Sequence, residues 1–514
     1  MQENCASLTD RLSARFLNWI YDCRLPFCSA LIAGLIAHTF ALTNKLPNHD
    51  DVAYLFSKGE TIRSGRWGLE LLRLVIPDYS MPWLHGIVSL LLLAISVCVI
   101  VQLFHIHSRL SQILLSALIV SFPSQVGTFC YMYTSSAYAV AFLLSVLAVS
   151  EAARPGWLHA GISAVLIMLM FSIYQAYISI TASLMILLLI QDLLEAGPED
   201  RMLVVLKRGL LFVAFLIIGL ELYRLTITAS LSLVGGTVNQ YSNEAQSMAP
   251  GFPSGIAVAY RFFVFNLTSR YNMIIVSRAS RALHFFCLAL GVVAIVISQI
   301  RSKSLPNTIL LLVCLILLPF SICVLYVVFY WNTIHTLVLY SYISLYILMF
   351  IAVEHLPQPV VRAAQDLLHL ALVVILGINI CFANRCYLKL HLEYENAYSL
   401  ATTLVTQIRS LPDYDETDRV VLYPSAGEAL HFDPAFGTEE EQEHDLMGVQ
   451  FQLLTGYTEA NFIYRYIGAE LNIVSREEAE DLITDRDYER MPVYPAAGSV
   501  QRVDDDTIFV KFAP

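Results

Sequence analysis

The sequence predicts a mostly α-helical, polytopic membrane protein with a small α/β domain at its C-terminal end. Hydrophobic residues make up 57% of the 514 residues and charged residues only 14%, with a mean hydropathy of +0.62. Such a composition excludes an ordinary water-soluble globule. Apolar runs about as long as a membrane-spanning helix also recur through most of the chain, so we expect a bundle of transmembrane helices.

The apolar runs give the number and order of the predicted spans. The first follows Arg11, Arg15 and Arg24 and resembles a signal peptide, but it is about long enough to cross a bilayer, so we predict a retained signal anchor. We predict eleven spans, at residues 27–43, 82–104, 111–129, 135–152, 158–178, 179–194, 209–232, 282–300, 307–329, 335–353 and 367–383.

The basic residues of the short loops predict the orientation. Lys and Arg collect in the loops that lie inside when the N-terminus is cytoplasmic, as the positive-inside rule requires. Residues 1–26 then form a cytoplasmic segment, residues 27–387 form the transmembrane catalytic domain, and the long loops 44–81 and 233–281 lie outside. An odd number of spans also places residues 388–514 outside. We call residues 44–81 the first loop and residues 388–514 the C-terminal domain.

The C-terminal domain differs from the rest of the chain in charge and in pattern. It holds 25 of the 42 acidic residues but only 9 of the 31 basic ones. Residues 419–423 read as a strand, 475–478 as a capping box that opens a helix, and 500–503 with 507–511 as a hairpin. Neither part shows the clustered basic surface of a nucleic-acid-binding protein, and the ten cysteines lack the spacing of a metal site.

Asp50 and Asp51 in the first loop are the candidate catalytic residues. Carboxylates at a membrane boundary lose solvation, and two neighbouring ones repel each other, so the pair could supply a general base. The alternative interpretation is that both only cap a helix that begins near Val52.

The segment that follows adds positive charge. The spacing predicts an amphipathic interfacial helix with Arg63, Arg66, Glu70 and Arg73 on one stripe. Arginines beside carboxylates at headgroup depth suit a substrate that carries a phosphate, because guanidinium binds phosphate oxygens in a forked geometry. The helix could also be only a membrane anchor.

Polar residues inside or at the ends of other spans are further candidates. Glu221 and Arg224 stand one helical turn apart in the seventh predicted span, where charges are costly and therefore candidates for function, although the spacing also permits a self-neutralising structural pair. Tyr174 and Gln175 lie near the predicted outer end of the fifth span. The sequence contains no phosphate-binding loop of the Walker type, no GxSxG and no HExxH.

These motifs resemble those of the bacterial membrane glucosyltransferases that modify O-antigen, the type known from prophage serotype conversion. The resemblance covers nearly the whole chain. It lies in the segments 48–51 with Tyr54, 65–67, 172–175, 491–495, 498–499 and 504–506.

The resemblance implies a GT-C type enzyme of the bacterial inner membrane, with its active site on the periplasmic side. It would transfer glucose from a polyprenyl-phosphate carrier to a surface polysaccharide or lipid-linked glycan, with inversion. Asp50 or Asp51 would be the base, and Arg66, with Arg63, would stabilise the leaving phosphate. No cofactor is required, but the aspartate pair could also hold a divalent cation. The expected substrate-binding residues are Asn48, His49, Tyr54, Arg63, Arg66, Trp67, Tyr174, Gln175, Glu221 and Arg224.

Two other functions fit a polytopic protein that handles lipid-linked sugars. A flippase or transporter should carry polar residues along several spans near the membrane centre, and the clear charges there are few. A polysaccharide polymerase or ligase shares the same form and differs only in donor and product. We expect the C-terminal domain either to shape the acceptor cleft or to hold the loop 233–281 in place.

Overall fold

The structure, a computed structural model, shows a helical bundle that continues into a small α/β unit. It describes residues 7–55, 61–76, 79–195, 200–238, 251, 253–268, 274–328, 336–357, 360–429, 453–484 and 487–513.

Within these residues, ten helices are long and apolar enough to cross a membrane, and Trp157–Ile173 is a shorter apolar helix beside them. This confirms a polytopic bundle, and the eleven helices correspond to the eleven predicted spans. The helices of the bundle are α2 (Arg24–Thr43), α5 (Pro82–Leu103), α6 (Arg109–Val120) with α7 (Pro123–Cys130), α8 (Met132–Ala152), α9 (Trp157–Ile173), α10 (Ile178–Glu195), α11 (Met202–Leu233), α13 (Arg278–Ser302), α14 (Leu305–Ile322), α16 (Ile343–Glu354) and α17 (Val360–Arg409).

Shorter helices stand before, between and after these spans. They are α1 (Leu8–Asp22), α3 (His49–Tyr54), α4 (Gly68–Leu72), α12 (Ser254–Thr268), α15 (Leu325–Val328), α18 (Ala426–Ala429), α19 (Glu459–Phe462) and α20 (Arg476–Thr484). Single turns of 3₁₀-helix precede α10, at Gln175–Tyr177, and follow α20, at Asp487–Arg490, and a longer 3₁₀ segment, Thr336–Tyr342, leads into α16.

The spans differ in how deeply they lie in the bundle. The span made by α6 and α7 has 94% of its most apolar window buried, whereas α11 has 17%. The span of α6 and α7 therefore forms the centre of the bundle, and α11 lies at its edge with most of its apolar surface available to lipid.

Hydroxyl groups in the spans donate hydrogen bonds to the backbone of their own helix. In α2, the Ser29 hydroxyl donates to the Leu25 carbonyl over 2.7 Å, and the Thr39 hydroxyl donates to the Leu35 carbonyl over 2.6 Å.

A buried histidine joins the first and last spans near the centre of the bundle. His38 in α2 lies 2.7 Å from the Tyr387 hydroxyl of α17 through Nδ1 and 2.9 Å from the Val120 carbonyl oxygen of α6 through Nε2. His38 is fully buried, and both of its ring nitrogens have a partner. The end of α2, from which the first loop leaves, is fixed against two other helices.

The last helix passes from the bundle into the C-terminal domain without a break. α17 has 50 residues and runs through the predicted boundary at residue 387. Its first half packs in the bundle core, and residues such as Ala401, Leu404 and Ile408 belong to the core of the C-terminal domain. The domain division itself stays a prediction.

The C-terminal domain contains a four-stranded sheet with the order β2, β1, β4, β3. The strands are β1 (Arg419–Tyr423), β2 (Asn472–Ile473), β3 (Val500–Arg502) and β4 (Thr507–Lys511). β1 is parallel to β2 and to β4, and β3 pairs antiparallel with β4. The predicted strand 419–423 and the predicted hairpin are therefore confirmed, and α20 begins directly after Ser475, as the capping box predicted.

The predicted amphipathic helix in the first loop is wrong. Residues 61–65 form turns, and the only helix of this segment in the described residues is α4. Gly65 has a φ of +79°, a left-handed conformation that a continuous α-helix cannot contain. Arg63 and Arg66 therefore do not share a helical stripe with Glu70 and Arg73.

Candidate functional site

The two adjacent aspartates of the first loop have different surroundings, because a capping box orients the helix that carries them. Asn48 is the N-cap of α3: its Oδ1 accepts from the Asp51 backbone N–H over 2.9 Å, and the Asp51 carboxylate accepts from the Asn48 N–H over 3.3 Å. The Asn48 amide also donates to the Cys130 carbonyl oxygen at the end of α7 over 2.7 Å. Asn48 and Asp51 are both buried, so they fix α3 to the bundle.

Asp51 is the more deeply buried member of the pair. Its side chain is fully buried, and its Oδ1 lies 4.0 Å from Nζ of Lys45. Burial raises the pKa of Asp51, and the Lys45 ammonium opposes that rise. Burial also lowers the pKa of Lys45 itself. One carboxylate oxygen of Asp51 accepts at the helix cap, and the whole side chain is buried.

Asp50 has the environment of a general base. Its side chain keeps 29% of its surface exposed, and its Oδ1 lies 3.4 Å from Nε2 of His49. Burial raises the pKa of Asp50 to about 6, while the nearby Arg66 guanidinium lowers it. Burial lowers the pKa of His49 to about 4. At neutral pH, Asp50 is therefore an ionised, partly desolvated carboxylate beside a neutral imidazole.

The segment Gly65-Arg66-Trp67-Gly68 places a guanidinium close to this carboxylate. The Gly65 carbonyl oxygen accepts hydrogen bonds from the Tyr223 hydroxyl over 2.8 Å and from the Gln175 amide over 3.0 Å. A Cβ on Gly65 would lie 2.6 Å from the Tyr223 hydroxyl oxygen, and one on Gly68 would lie 3.0 Å from the Ser172 carbonyl oxygen. Only glycines allow this turn to pack so closely against α9 and α11.

Aromatic rings hold the Arg66 side chain. The guanidinium lies over the Tyr174 ring, 5.3 Å from its centroid, and Nη1 is 3.5 Å from the Tyr138 hydroxyl. The rings of Tyr138 and Tyr174 stack with centroids 4.2 Å apart. These two contacts restrict where the Arg66 guanidinium can lie.

The C-terminal domain forms another wall of the site. Val52, on the same helix as Asp50, is completely buried in the hydrophobic core of the C-terminal domain, together with residues such as Leu404 and Phe462. The His49 ring lies edge-on to Tyr131 with centroids 6.0 Å apart, and its centroid is 6.5 Å from that of Tyr457. α3 is therefore held on one side by the bundle and on the other by the C-terminal domain.

The remaining predicted site residues are placed less centrally. Arg63 is exposed and lies beside Gly236. A Cβ added to Gly236 would lie 2.9 Å from Nε of Arg63. Trp67 is half-buried, and its indole nitrogen is shielded from solvent without a hydrogen-bond partner among the described residues. The backbone of Tyr54 ends α3, but its side chain lies outside the described residues.

The two charged residues of α11 form the pair that their spacing allows. Arg224 Nη1 lies 3.1 Å from Glu221 Oε1, and the two side chains are 68% and 55% exposed. They therefore sit on the outer surface of the helix, whereas Tyr223 between them turns inward to the first loop. Their assignment as substrate ligands stays a prediction.

Sequence reasoning missed Lys45, Val52 and Tyr457. Lys45 follows the first span like any flanking lysine, and Val52 reads as one apolar residue of a short helix. Tyr457 lies in a different domain, so no local pattern connects it with Asp50. A prediction of the contact between α3 and the C-terminal domain would have been needed to find the last two.

Metal binding stays a prediction. No group of three or more His, Cys, Asp or Glu side chains in the described part of the chain could hold a metal ion. Only one oxygen of Asp51 is used by the helix cap, so its Oδ1 atom lies at this position together with Asp50 and the Nε2 atom of His49.

Comparison with known proteins adds a family to this geometry. Residues 39–352, more than half of the chain, match the family described as "Glucosyl transferase GtrII". The matched range includes the first loop, the Arg66 turn and Tyr223. No curated protein and no solved structure matches the chain.

Proposed function

Because the chain belongs to the glucosyl transferase GtrII family, we propose that it moves glucose from a polyprenyl-phosphate donor to a surface glycan, with Asp50 as the base. The coarse activity, glucosyl transfer by a multi-pass membrane enzyme, follows from the family and the helices. The donor, the acceptor, the GT-C class and the role of each residue are parts of the proposal.

The observation that carries the proposal is the juxtaposition of Asp50 with Arg66. Asp50 is a carboxylate whose pKa of about 6 makes it basic enough to accept a proton near neutral pH. Arg66 is close enough for its charge to lower that pKa, and its guanidinium is held in place by Tyr174 and Tyr138. A base with a held cation near enough to lower its pKa suits transfer of a group from a phosphate to a hydroxyl.

In the proposed reaction, Asp50 takes the proton from a hydroxyl of the acceptor. The acceptor oxygen forms a bond to the anomeric carbon of glucose while the bond from that carbon to the phosphate oxygen breaks. The electron pair leaves with the lipid phosphate, whose growing negative charge is stabilised by Arg66. One displacement inverts the configuration at the anomeric carbon, and the proton remains on Asp50 until solvent removes it.

His49 and Asp51 support Asp50 without touching the reacting atoms. A neutral His49 with its proton on Nε2 can donate toward the Asp50 carboxylate at 3.4 Å and so orient it. Asp51 and Asn48 hold the first turn of α3 against the bundle. This assigns separate roles to two aspartates that the sequence left equivalent.

We place the reaction on the periplasmic side of a bacterial inner membrane, with O-antigen or another lipid-linked glycan as the acceptor. The support is the distribution of basic residues in the short loops, together with the contact between the first loop and the C-terminal domain on one side of the bundle.

The direct test is product analysis with purified protein in lipid, polyprenyl-phosphate glucose and candidate lipid-linked acceptors. We expect a glucosylated acceptor of inverted configuration, and Asp50→Asn should reduce transfer by about 10²- to 10⁴-fold, the usual contribution of a general base. Full activity of Asp50→Asn would exclude the proposed base. Movement of the lipid-linked sugar across vesicles without formation of a glycosidic bond would instead show a transporter.

A further inference from the structure

Tyr457 of the C-terminal domain is an exposed aromatic residue next to the proposed base. Its side chain is 53% exposed, and its ring centroid lies 6.5 Å from that of His49. His49 in turn lies 3.4 Å from the Asp50 carboxylate. Tyr457 and Asp50 are thus neighbours of the same imidazole, although they lie far apart in the sequence.

Hydrogen bonds hold the backbone of the turn that carries Tyr457. The Thr458 hydroxyl donates to the Leu453 carbonyl oxygen over 2.7 Å, and the Thr455 backbone N–H lies 3.2 Å from that hydroxyl oxygen. The Thr458 N–H also donates to the Thr455 carbonyl oxygen over 2.9 Å. Leu453 is buried in the core of the domain. The fold therefore holds a large, half-apolar ring in a fixed place at the surface.

The two neighbours of Asp50 differ in chemistry. Arg66 belongs to the turn that is fixed to the bundle, and it suits the phosphate of a lipid-linked donor. Tyr457 belongs to the C-terminal domain and offers an uncharged ring face. A sugar ring presents C–H groups on one face and hydroxyls at its edge, so an aromatic ring can cover the face while the edge stays available.

We infer that Tyr457 is a platform for a sugar ring of the acceptor glycan and presents that sugar to Asp50. This inference rests on the proposed glucosyl transfer and names the surface that receives its second substrate. It also gives the C-terminal domain a role in the reaction, because Tyr457 and the core around Val52 approach α3 from the same domain.

The test uses the full chain in lipid with polyprenyl-phosphate glucose and a lipid-linked glycan acceptor, with the concentration of each substrate varied separately. Tyr457→Ala should raise the KM for the acceptor by roughly tenfold, which is about 1.4 kcal/mol of lost binding, and leave the KM for the donor unchanged. Tyr457→Phe and Tyr457→Trp should keep the acceptor KM close to that of the unmodified protein, because the ring face and not the hydroxyl makes the contact.

A matched control is Tyr464→Ala. Tyr464 is an exposed tyrosine of the same domain, with 60% of its surface accessible. Its removal should change neither KM. If both alanine variants weaken acceptor binding equally, a general loosening of the domain explains the effect and the inference is overturned.

The outcomes separate this inference from the proposed function. An unchanged acceptor KM in Tyr457→Ala, together with loss of transfer in Asp50→Asn, would overturn the platform and leave the enzyme assignment intact. Failure of the unmodified protein to transfer glucose to any acceptor would overturn both. If the donor KM rises as well and the pH dependence shifts, Tyr457 acts by packing on His49, and the platform is again overturned.

Discussion

The Tyr223 hydroxyl donates a 2.8 Å hydrogen bond to the carbonyl oxygen of Gly65, the residue before Arg66. The same hydroxyl accepts from the Gln175 amide over 3.0 Å, and this amide also donates to Gly65. α11 and the 3₁₀ turn before α10 thereby fix the turn that carries the proposed phosphate ligand.

Tyr223→Phe should reduce glucosyl transfer without unfolding the protein. One hydrogen bond contributes about 0.5–1.5 kcal/mol, so we expect a decrease in kcat of severalfold to about tenfold, measured with saturating donor and acceptor. Tyr260→Phe is a matched control. The Tyr260 hydroxyl donates a 2.6 Å hydrogen bond to the Ile316 carbonyl oxygen, and neither residue belongs to the first loop. Equal activity of the two variants would show that the Gly65 turn does not depend on Tyr223.

The pH dependence of transfer should report Asp50. The base acts only when ionised, so kcat/KM should fall as the pH falls through about 6, the pKa of Asp50. Because the Arg66 charge lowers this pKa, Arg66→Gln should move the acidic limb of the profile to higher pH, in addition to lowering the rate. The profile is measured with the same donor and acceptor across the pH range. If the acidic limb of the profile lies at the same pH in Arg66→Gln as in the unmodified protein, Arg66 does not lie near the base.

Asp50→Asn should make the folded protein more stable near neutral pH. The folded pKa of Asp50, about 6, is above the ordinary value of 3.8, so the ionised carboxylate destabilises the fold once the pH exceeds both values. Removing its charge should therefore raise the melting temperature in detergent at pH 7, by an amount equivalent to on the order of 1–2 kcal/mol. The difference should shrink as the pH falls below about 6 and disappear below about pH 3, where Asp50 is protonated in both states. A lower melting temperature at pH 7 would contradict this.

Asn48→Ala should lower both stability and transfer. Loss of an N-cap costs about 1 kcal/mol, and the bond to the Cys130 carbonyl is lost as well, so α3 should shift and displace Asp50. Ser277→Ala is the control, since Ser277 caps α13 by accepting from the Ser280 N–H over 3.0 Å. We expect a similar decrease in melting temperature for the control but little loss of transfer.

The spans and the strands of the C-terminal domain were predictable because their signals are local. A run of apolar residues has few alternatives in a membrane protein. Residues 419–423 contain a short continuous apolar run that ends at Pro424, as is typical of a buried strand. The helix with Arg63, Arg66, Glu70 and Arg73 on one stripe was predicted wrongly, because Gly65 adopts a positive φ that the hydrogen bonds from Gln175 and Tyr223 stabilise. Gln175 and Tyr223 are far from Gly65 in the sequence, so the local pattern of residues gives no sign of these hydrogen bonds.

The roles of the two aspartates depend on tertiary contacts in the same way. Asp50 and Asp51 are adjacent on one helical turn, so periodicity alone puts them on different faces without saying which face is buried. The hydrogen bonds of Asn48 to the Asp51 carboxylate and to the Cys130 carbonyl oxygen determine that the face with Asp51 is the buried one. Tyr457 could not be connected with either one from the sequence, since the contact exists only after the C-terminal domain packs on Val52.

The 50 residues of α17 form a rod about 75 Å long at 1.5 Å per residue, more than twice the roughly 30 Å thickness of the hydrocarbon layer. One end is embedded among the spans, and the other lies in the core that encloses Val52. One unbroken helix therefore belongs to both hydrophobic cores, and no loop separates the C-terminal domain from the last span.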